Sequence, residues 1–395
     1  MKMEKELYFD TVIAGAGVGG LFTALHLPRE QKILMIAKED LESCDSMLAQ
    51  GGICVQHDDD DYDSFFEDTM RAGHYENRKE SVDIMIRNSR DVIDQLIAYG
   101  VDFNRKPDGS LDYTKEGAHA RPRICYHADI TGKEITTKLQ TAVKALPNVE
   151  IMEYTTMTDI MEENGVCIGM IAETRGGDKL VIHAKDTVMA TGGIGGRYEH
   201  STNFPSLTGD ALDIAKKHNV ELEHLDYVQI HPTSLYTGRP GRAFLITESA
   251  RGEGAVLLNA KGERFVNELL PRDVVSKAIF AEMEKEGSQF VRLDFSPMPQ
   301  EEITGHFTNI YKTCLEEGYD ITKEPIPVVP AQHYFMGGVH VDSNSETTMS
   351  HLYAVGETSC NGVHGKNRLA SNSLLESLVF GERAAKHIAE ERKGK

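Results

Sequence analysis

The sequence predicts an α/β fold in which a Rossmann-like, dinucleotide-binding domain is interrupted by a smaller α+β domain. A strand, a glycine-rich turn and a helix follow one another in YFDTVIAGAGVGGLFTALHL, near the N-terminus. The composition then changes to mixed strands and short helices, and strand-then-helix patterns return in HLYAVGE and SNSLLESLVFGERAAKHIAE. We therefore expect the first part of the nucleotide-binding domain at residues 1–223, the inserted domain at 224–334 and the second part at 335–395.

The glycine turn, GAGVGG at residues 15–20, has the GxGxxG spacing of a dinucleotide site. Such glycines permit a tight turn, let the backbone approach a pyrophosphate and let the helix pack on the strand. A second strand, KILMIA at residues 32–37, completes a βαβ unit. Further strand-plus-turn elements occur at residues 191–193 and before Glu357, whose carboxylate can accept a hydrogen bond from a ribose or ribityl hydroxyl. Three such elements favour FAD over a nicotinamide cofactor, and a glycine turn without a ligand is the alternative.

The segments between these elements give weaker patterns. SVDIMIRNSRDVIDQLIAYG has helical periodicity and predicts a helix ended by Gly100. Alternating residues at 149–160, 165–173 and 179–183 predict a small antiparallel meander, followed by another strand in KDTVMATGGIGG. The acidic run HDDDDYD at 57–63 is interpreted as a solvated loop, with a metal site as the less favoured alternative. No metal site is predicted elsewhere.

Composition and charge exclude several classes of function. The net charge of −20 disfavours nucleic-acid binding, because phosphate contacts need a basic surface. The six cysteines form no CxxC pair, which favours reduced thiols and a cytoplasmic location. No apolar run has the length needed to cross a bilayer, and MKMEKELYFD has no apolar signal-peptide region. We expect a cytoplasmic protein without nucleic-acid or membrane partners.

The stretch EGAHARPRICYHADITG, residues 116–132, combines several cationic side chains with one carboxylate. Its cations suit an anionic ligand, yet the stretch begins with Glu116. We give His119 a weak role, and we interpret Arg121, Arg123 and His127 as loop or structural charges. The presence of Glu116 among cations raises the question of what the carboxylate binds.

Five ordered motifs resemble those of the flavoprotein family of succinate dehydrogenase and fumarate reductase. They are AQGGI, HPT, RGEGA, PRD and HGKNRLASNSLLE. The chain is most similar to the branch of that family that oxidises L-aspartate, from about residue 10 to its end. The resemblance implies an FAD-binding domain interrupted by a capping domain, with the substrate held between them. The helical C-terminal domain of many relatives is expected to be absent, because the sequence ends shortly after a helix at 373–391.

The resemblance implies a set of residues for two substrate carboxylates and one acid/base arginine. The implied substrate-binding residues are His231, Thr247, Glu248, His333 and Arg368, with Glu248 as an orienting neighbour. A guanidinium can bind a carboxylate through two hydrogen bonds, and imidazoles and a hydroxyl can hold the other. Arg272 of the PRD motif resembles the acid/base arginine, and a salt bridge to Asp273 or Glu268 is the structural alternative. We expect catalytic roles for Arg272, His231 and Glu116.

The same resemblance implies the residues that contact FAD. They are Gly15, Gly17, Gly20, Lys38, Ser46, Ala49, Gln50, Gly51, Gly52, Thr191, Gly192, Gly193, Asp210, Glu357, Ser371, Ser373 and Leu374. The helix that begins near residues 371–373 should direct its N-terminus at the flavin pyrimidine and stabilise the anionic reduced form. Succinate dehydrogenases of the family carry a histidine joined to FAD five residues before the glutamine of AQGG. This chain has Asp45 there, so non-covalent FAD is expected.

Glu116 decides which dicarboxylate we expect as substrate. Succinate and fumarate need groups for two carboxylates only, whereas L-aspartate adds an ammonium. An ammonium among desolvated cations costs several kcal/mol unless a carboxylate faces it. Glu116 is the candidate for that carboxylate, and the alternatives are that it caps a turn or pairs with Arg121.

The predicted reaction is therefore FAD-dependent oxidation of L-aspartate to iminoaspartate, in which the C2 hydrogen leaves as hydride. The resemblance implies reoxidation by O2 or fumarate, and functional coupling to quinolinate synthase in the synthesis of NAD. A soluble fumarate reductase or succinate dehydrogenase flavoprotein is the nearest alternative. A non-catalytic flavin-binding protein is the other.

Overall fold

The computed structural model describes residues 4–239 and 241–393, so Met1–Met3 and the last two residues of the predicted 335–395 segment lie outside the described residues. The strands in chain order are β1 (Glu4–Ala14), β2 (Ile33–Ile36), β3 (Ile53–Cys54), β4 (Ile124–Cys125), β5 (Val149–Met152), β6 (Thr155–Glu163), β7 (Val166–Thr174), β8 (Lys179–Met189), β9 (Leu222–Glu223), β10 (Val228–Leu235), β11 (Val256–Leu258), β12 (Val291–Asp294), β13 (Ile326–Phe335), β14 (Gly338–His340), β15 (Leu352–Ala354) and β16 (Ser359–Cys360). The helices are α1 (Val18–His26), α2 (Tyr62–Ala72), α3 (Lys79–Arg87), α4 (Ser89–Ala98), α5 (Thr131–Lys144), α6 (Asp210–Lys217), α7 (Glu248–Gly252), α8 (Arg272–Glu286), α9 (Gln300–His306), α10 (Thr308–Glu316) and α11 (Asn372–Lys393). None of these helices of the described chain is long and apolar enough to cross a membrane.

The largest sheet has the order β5-β2-β1-β8-β7-β6, with β15 also paired to β8. Strands β5, β2, β1, β8 and β15 run parallel, while β6 and β7 form an antiparallel hairpin against β8. Ala14 is in register with both Ile36 and Met189 at the carboxyl ends of these strands. The glycine turn after β1 and the TGG turn after β8 therefore leave the sheet side by side, as a doubly wound nucleotide-binding fold requires.

Two sequence predictions for this sheet were wrong in detail. The segment at 149–160 is two strands, because β5 joins the parallel sheet beside β2 and only β6 belongs to the antiparallel hairpin. The strands predicted separately before and after Lys185 are one continuous strand, β8. Short alternating patterns are the same for parallel and antiparallel edges, so only the tertiary pairing distinguishes them.

The helix predicted to end at Gly100 is two helices, α3 and α4, separated at Asn88. The Asn88 side chain donates to the Ile84 carbonyl at 2.7 Å, and the Asn88 backbone N–H donates to the same oxygen at 3.2 Å, at the end of α3. Asparagine favours such local side-chain bonds and interrupts helices for that reason. Gly100 follows α4 with φ of 89°, which agrees with its predicted terminating role.

A second sheet, of order β10-β13-β12-β11, lies within the region predicted as the inserted domain. It has a core of its own, formed by buried residues between Leu235 and Val328, while two other clusters bury the faces of the main sheet. Strand β13 crosses the predicted boundary at 334, so the domain limits themselves stay a prediction. Helix α11 packs on α1, where the Thr23 hydroxyl donates to the Gly381 carbonyl at 3.1 Å and ties the end of the chain to the nucleotide turn.

Candidate active site

The two larger sheets meet at a cleft of about 430 Å³. Small-molecule sites usually have volumes of about 300–1,000 Å³. All of the predicted cofactor and substrate residues line this cleft except Gly193. Gly193 lies directly behind its wall, because a Cβ added there would be 2.2 Å from the Glu357 Oε1 atom. The cleft therefore brings together the glycine turns, the start of α11 and the predicted substrate residues of the inserted region.

The glycine turn after β1 has the geometry of a phosphate site. Gly15 has φ of 118°, and an added Cβ would lie 1.9 Å from the Ala190 carbonyl oxygen, so only glycine fits. Gly17 precedes α1 without a side-chain cap, and Ser46 Oγ accepts the Val18 N–H at 3.1 Å. The remaining N–H groups of the first turn and the helix dipole favour an anion, which fits the pyrophosphate of FAD.

Unpaired polar atoms along the cleft fit a large polar ligand. Gln50 Oε1, Asp45 Oδ2 and Asn203 Oδ1 are buried and have no hydrogen-bond partner among the described residues. Glu357 accepts the Phe335 N–H at 2.9 Å, and burial raises the pKa of its carboxyl to about 8. Buried polar groups are normally hydrogen-bonded, so these atoms indicate the position of a ligand with many polar groups.

Two further predicted FAD contacts bind each other. Lys38 Nζ donates to Asp210 Oδ2 and to Thr208 Oγ1, both at 2.8 Å, at the end of the second strand of the fold. Glu39, the next residue, instead forms a salt bridge with Arg175. The pairing of Lys38 with Asp210 holds both side chains in the wall of the cleft.

Two arginines from distant segments share one amide oxygen in the cleft. Arg272, the first residue of α8, donates from Nη1 to Gln229 Oε1 at 3.0 Å, and Arg368 donates from Nε to the same oxygen at 3.4 Å. Arg272 Nε also binds Glu248, and Arg368 Nη1 binds Ser373. Burial, followed by the charge of Arg272, lowers the pKa of Arg368 to about 10. The guanidinium of Arg368 thus has no carboxylate hydrogen-bonded to it among the described residues, and it is available to an anionic ligand.

The sequence reasoning missed Gln229. Gln229 lies two positions before His231 on β10, where the pairing with β13 shifts register. The alternation in VQIHPT was the available signal, because residues two positions apart on a regular strand share a face.

The two predicted histidines are neutral neighbours in the cleft. Their rings lie 5.1 Å apart in an edge-on arrangement. Burial, followed by nearby arginines, holds the pKa of His231 and of His333 well below the usual value. His231 Nδ1 accepts the Thr233 N–H at 3.2 Å, whereas its Nε2 is buried without a partner among the described residues. His333 Nδ1 is bonded to the Thr202 hydroxyl at 2.7 Å.

Helix α7 presents several charged and polar groups to the cluster. It begins after Thr247, whose hydroxyl accepts the Ser249 N–H at 3.3 Å as an N-cap. Burial opposes ionisation of Glu248, but Arg272 and Arg251 outweigh it and lower the pKa of this carboxyl. Arg251 is fully buried, with Nη2 3.6 Å from Glu248 Oε2, and its Nε and Nη2 lack hydrogen-bond partners among the described residues. The Arg272 bond to Glu248 differs from the structural alternative, since Glu268 pairs with Arg264 instead.

Glu116 is buried in the same cleft and is 2% exposed. Its Oε1 accepts the Ser249 hydroxyl at 3.2 Å, and its Oε2 accepts the Ser371 hydroxyl. Burial, followed by the charge of Glu248, raises the pKa of Glu116, while Arg272 acts in the opposite direction. A Cβ at Gly51 would lie 2.3 Å from Glu116 Oε1, so the glycine leaves room for the carboxylate. Neither alternative for Glu116 is observed, because it accepts bonds from two serines and Arg121 is exposed to solvent.

A second buried charge cluster lies beside Glu116. Arg123 is fully buried and binds Asp61 through Nε at 3.1 Å and Nη2 at 2.8 Å, and Asp68 through Nη1 at 2.7 Å. The prediction of a solvated loop at 57–63 is therefore wrong for Asp61, which has no exposed surface. Arg123 Nη1 also contacts His119, whose Nε2 lies 3.1 Å from the Ala370 carbonyl oxygen. His119 thus links the cluster to the start of α11 rather than to the cleft.

The remaining charged groups are bonded to neighbouring groups outside the cleft. His127 Nδ1 is bonded to the Asp102 carbonyl oxygen and so has the structural role expected of it. Glu221, Glu223 and His340 bring possible metal-ligating atoms within 4.8 Å of one another. The Arg78 guanidinium already binds Glu223 and His340, so this group is an ion-pair network.

Comparison with known proteins places this geometry in a family. The FAD binding domain family matches residues 10–374. L-aspartate oxidase of Clostridium perfringens is 51% identical over 96% of this chain and 86% of the relative. The enzyme of Clostridium acetobutylicum is 49% identical over 96% of this chain and 87% of the relative.

The chain belongs to the L-aspartate oxidase family. A solved structure of E. coli quinol fumarate reductase is also similar, with a TM-score of 0.92 and 32% identity over 98% of this chain and 71% of that chain. The resemblance read from the five motifs is thereby confirmed, as are the mixed α/β flavoprotein fold and FAD as the cofactor. The roles of individual residues in this member of the L-aspartate oxidase family stay predictions.

Proposed function

We propose that the protein is an FAD-dependent L-aspartate oxidase that converts L-aspartate to iminoaspartate. The observation that carries the proposal is one buried carboxylate, Glu116, in a cleft otherwise arranged for anions. The cleft offers Arg368, Arg272 and two histidines to a dicarboxylate, and Glu116 to an ammonium. L-aspartate is a small dicarboxylate that carries an ammonium. L-aspartate oxidases that are 39–51% identical to this chain support the assignment.

The proposed binding mode divides the substrate between the two charge types. Arg368 binds one carboxylate through its guanidinium, since a planar fork matches a carboxylate better than a point charge does. His231 Nε2 and the Thr247 hydroxyl face the other carboxylate, and the His333 ring lies beside His231 on that side of the cleft. Glu116 orients the ammonium and thereby fixes which face of C2 is presented. FAD, when bound, supplies the two-electron acceptor for the C2 hydrogen.

In the proposed mechanism, the Arg272 guanidinium stabilises negative charge on the bound substrate and carries a proton at the site. Its Nε is hydrogen-bonded to Glu248 and its Nη1 to Gln229, which leaves Nη2 for the substrate. Glu248, whose pKa is lowered, keeps the arginine oriented and partly balances its charge. The group that receives the ammonium proton in this proposal is Glu116, because it faces the amine and its raised pKa makes it a better base than Glu248, whose pKa is lowered.

The proposal extends to the capping domain and to the way in which FAD is held. We place the capping domain at 224–334, over an FAD held without a covalent bond, because Asp45 cannot form the histidyl linkage. Precipitation of the protein with acid should release all of the flavin into the supernatant, and flavin retained in the pellet would contradict this. We further propose that O2 or fumarate reoxidises the flavin and that the protein is cytoplasmic. We also propose that it is functionally coupled to quinolinate synthase.

The test of the function is anaerobic reduction of the bound flavin, followed as bleaching near its visible maximum. L-aspartate should bleach the flavin rapidly, and succinate should bleach it slowly or not at all. Bleaching by succinate alone would favour the fumarate reductase alternative, for which the similarity to E. coli quinol fumarate reductase is the supporting observation. No bleaching with any C4 dicarboxylate would favour a non-catalytic flavin-binding protein.

The variant Glu116→Gln tests the observation that carries the proposal. It keeps the shape and removes the charge, so kcat/KM for L-aspartate should fall by about 100-fold, as for the loss of a buried charge pair worth about 2–5 kcal/mol. Fumarate reduction by the same variant should fall far less, because fumarate has no ammonium. Equal losses in the two reactions would refute the role of Glu116 as the ammonium partner.

A further inference from the structure

We propose that Ser249 is a specificity-determining residue, which positions the Glu116 carboxylate toward the substrate amine and does so from the capping side of the cleft. The inference rests on the proposed function and names a residue that neither the sequence motifs nor that function requires. Ser249 contacts one predicted carboxylate-binding residue, Thr247, whose hydroxyl lies 3.5 Å from the Ser249 hydroxyl, but Ser249 itself does not line the cleft. It acts through Glu116, as a positioning residue.

The geometry around Glu116 shows how the carboxylate is held. Its two oxygens are bonded to two hydroxyls from opposite sides of the cleft, Ser249 of α7 and Ser371 at the start of α11. All three side chains are buried, with Glu116 at 2%, Ser249 at 1% and Ser371 at 8% exposure. A carboxylate that accepts one hydrogen bond at each oxygen is fixed in rotation and favoured in its charged form.

The backbone on both sides is arranged for this contact. Ser371 has φ of 61°, a left-handed conformation that non-glycine residues rarely adopt and that is maintained where function requires it. Ser249 is fixed by the N-cap bond from its N–H to Thr247. A Cβ at Gly117 would lie 2.4 Å from Glu248 Oε1, so the chain at Glu116 passes close against α7. The hydroxyl of Ser249 is therefore held at Glu116 rather than placed there by chance.

The two serines belong to different parts of the fold, and this distinguishes the role of Ser249 from that of Ser371. Ser371 belongs to the segment that begins α11, which packs on the nucleotide-binding domain. Ser249 belongs to α7, within the region predicted as the capping domain. The bond from Ser249 to Glu116 therefore joins the inserted region to a residue outside it. The carboxylate proposed for the amine is held jointly by the inserted region and by the segment that begins α11.

Substrates without an ammonium should be indifferent to this bond. Succinate and fumarate do not need Glu116 as an oriented anion, whereas L-aspartate does. Removing the Ser249 hydroxyl should thus affect L-aspartate selectively. It should also make the Glu116 anion less stable, since one donor to its charged form is lost.

The experiment compares Ser249→Ala with a matched control, Ser234→Ala, in the FAD-loaded protein. Ser234 is equally buried on β10, but its hydroxyl donates to the Val329 carbonyl at 2.7 Å, whereas that of Ser249 donates to Glu116. The Ser249→Ala variant should raise KM for L-aspartate about 10-fold, the loss of a hydrogen bond to a charged group. KM for fumarate in the reverse assay should change less than about 2-fold. Ser234→Ala should lower the melting temperature without separating the two substrates.

The pH profile provides the second readout. In Ser249→Ala, the acidic limb of kcat/KM for L-aspartate should move to higher pH, because Glu116 holds its proton more tightly. A purely structural role of Ser249 would change KM for both substrates equally and would leave the acidic limb of the pH profile at its wild-type position. Either of these results would overturn the proposal. If the wild type does not oxidise L-aspartate at all, the proposed function fails instead. Normal wild-type oxidation with an unchanged Ser249→Ala variant would overturn the role of Ser249 alone.

Discussion

The protein contains two buried charge clusters side by side that differ in how completely their charges are paired. In the closed cluster, Arg123 uses all three guanidinium nitrogens on Asp61, Asp68, Ser64 and His119. In the open cluster, which comprises Glu116, His231, Glu248, Arg272, His333 and Arg368, His231 Nε2 is buried without a partner among the described residues, and no carboxylate is hydrogen-bonded to Arg368 there.

Completeness of pairing distinguishes a structural buried charge from one that serves a ligand. Desolvating charge costs several kcal/mol per ion, and a folded protein recovers it only when the geometry is complete. The closed cluster meets that condition without a ligand. The open cluster does not meet it, since no carboxylate is hydrogen-bonded to Arg368 among the described residues, and burial and the charge of Arg272 lower its pKa. We infer that a ligand with complementary charges completes the open cluster.

The largest expected effect is on stability and contrasts one arginine from each cluster. Arg123→Met should lower the free energy of unfolding by about 3–5 kcal/mol, because it leaves the buried Asp61 carboxylate without its cation and leaves Asp68 with the partly exposed Arg71 alone. Arg368→Met should leave stability unchanged or raise it, because it removes a buried cation with no carboxylate bonded to it. Urea titration of both variants beside the wild type measures the two values. Similar losses in the two variants would remove the distinction between the clusters.

The next largest effect is on catalysis. Arg368→Met should lower kcat/KM for L-aspartate and for fumarate alike, by about 100-fold or more, since both substrates have the carboxylate that the guanidinium binds. Steady-state kinetics with the two substrates provides the measurement, and Glu116→Gln is the matched variant that should separate them. A loss for L-aspartate only would place Arg368 elsewhere than at a shared carboxylate.

A smaller effect should come from Gly51→Ala. The added Cβ would lie 2.3 Å from Glu116 Oε1, and a flexible side-chain end can move aside, so the fold is retained while the carboxylate is displaced. KM for L-aspartate should rise about 10-fold, as for a lost hydrogen bond to a charged group. Equal effects on fumarate would indicate that Gly51 serves the cofactor alone.

The smallest expected effect concerns Asp45, a partly exposed residue of the cleft wall whose Oδ2 is buried and unpaired. Burial raises its pKa from 3.8 to about 7, so the folded state holds the proton more tightly than the unfolded state does. The stability that this provides near pH 4 is therefore lost as the pH rises to about 7. In flavin-free protein, Asp45→Asn should gain about 1 kcal/mol on the wild type between pH 4 and pH 8, a value reduced by water in the cleft. A pH-independent difference would contradict the raised pKa.

The sequence was sufficient where the signal is local. GAGVGG is dictated by the close approach of Gly15 to Ala190, and the ordered motifs around His231, Arg272 and Arg368 were recognisable as a set. Gln229 and Ser249 were missed because their importance lies in contacts across the cleft, which no spacing along the chain records. Asp61 was misread for the same reason, since an acidic residue in an acidic run is buried here by a cation that lies far along the chain, Arg123.

A crystal structure with bound L-aspartate would show whether the open cluster is a site for a dicarboxylate with an ammonium. Crystals of the FAD-loaded Arg272→Gln variant, soaked anaerobically, should hold the substrate without turning it over. We expect the substrate ammonium within about 3.2 Å of the Glu116 carboxylate and one substrate carboxylate on the Arg368 guanidinium. L-aspartate bound with its ammonium directed away from Glu116, or outside the cleft, would contradict this expectation.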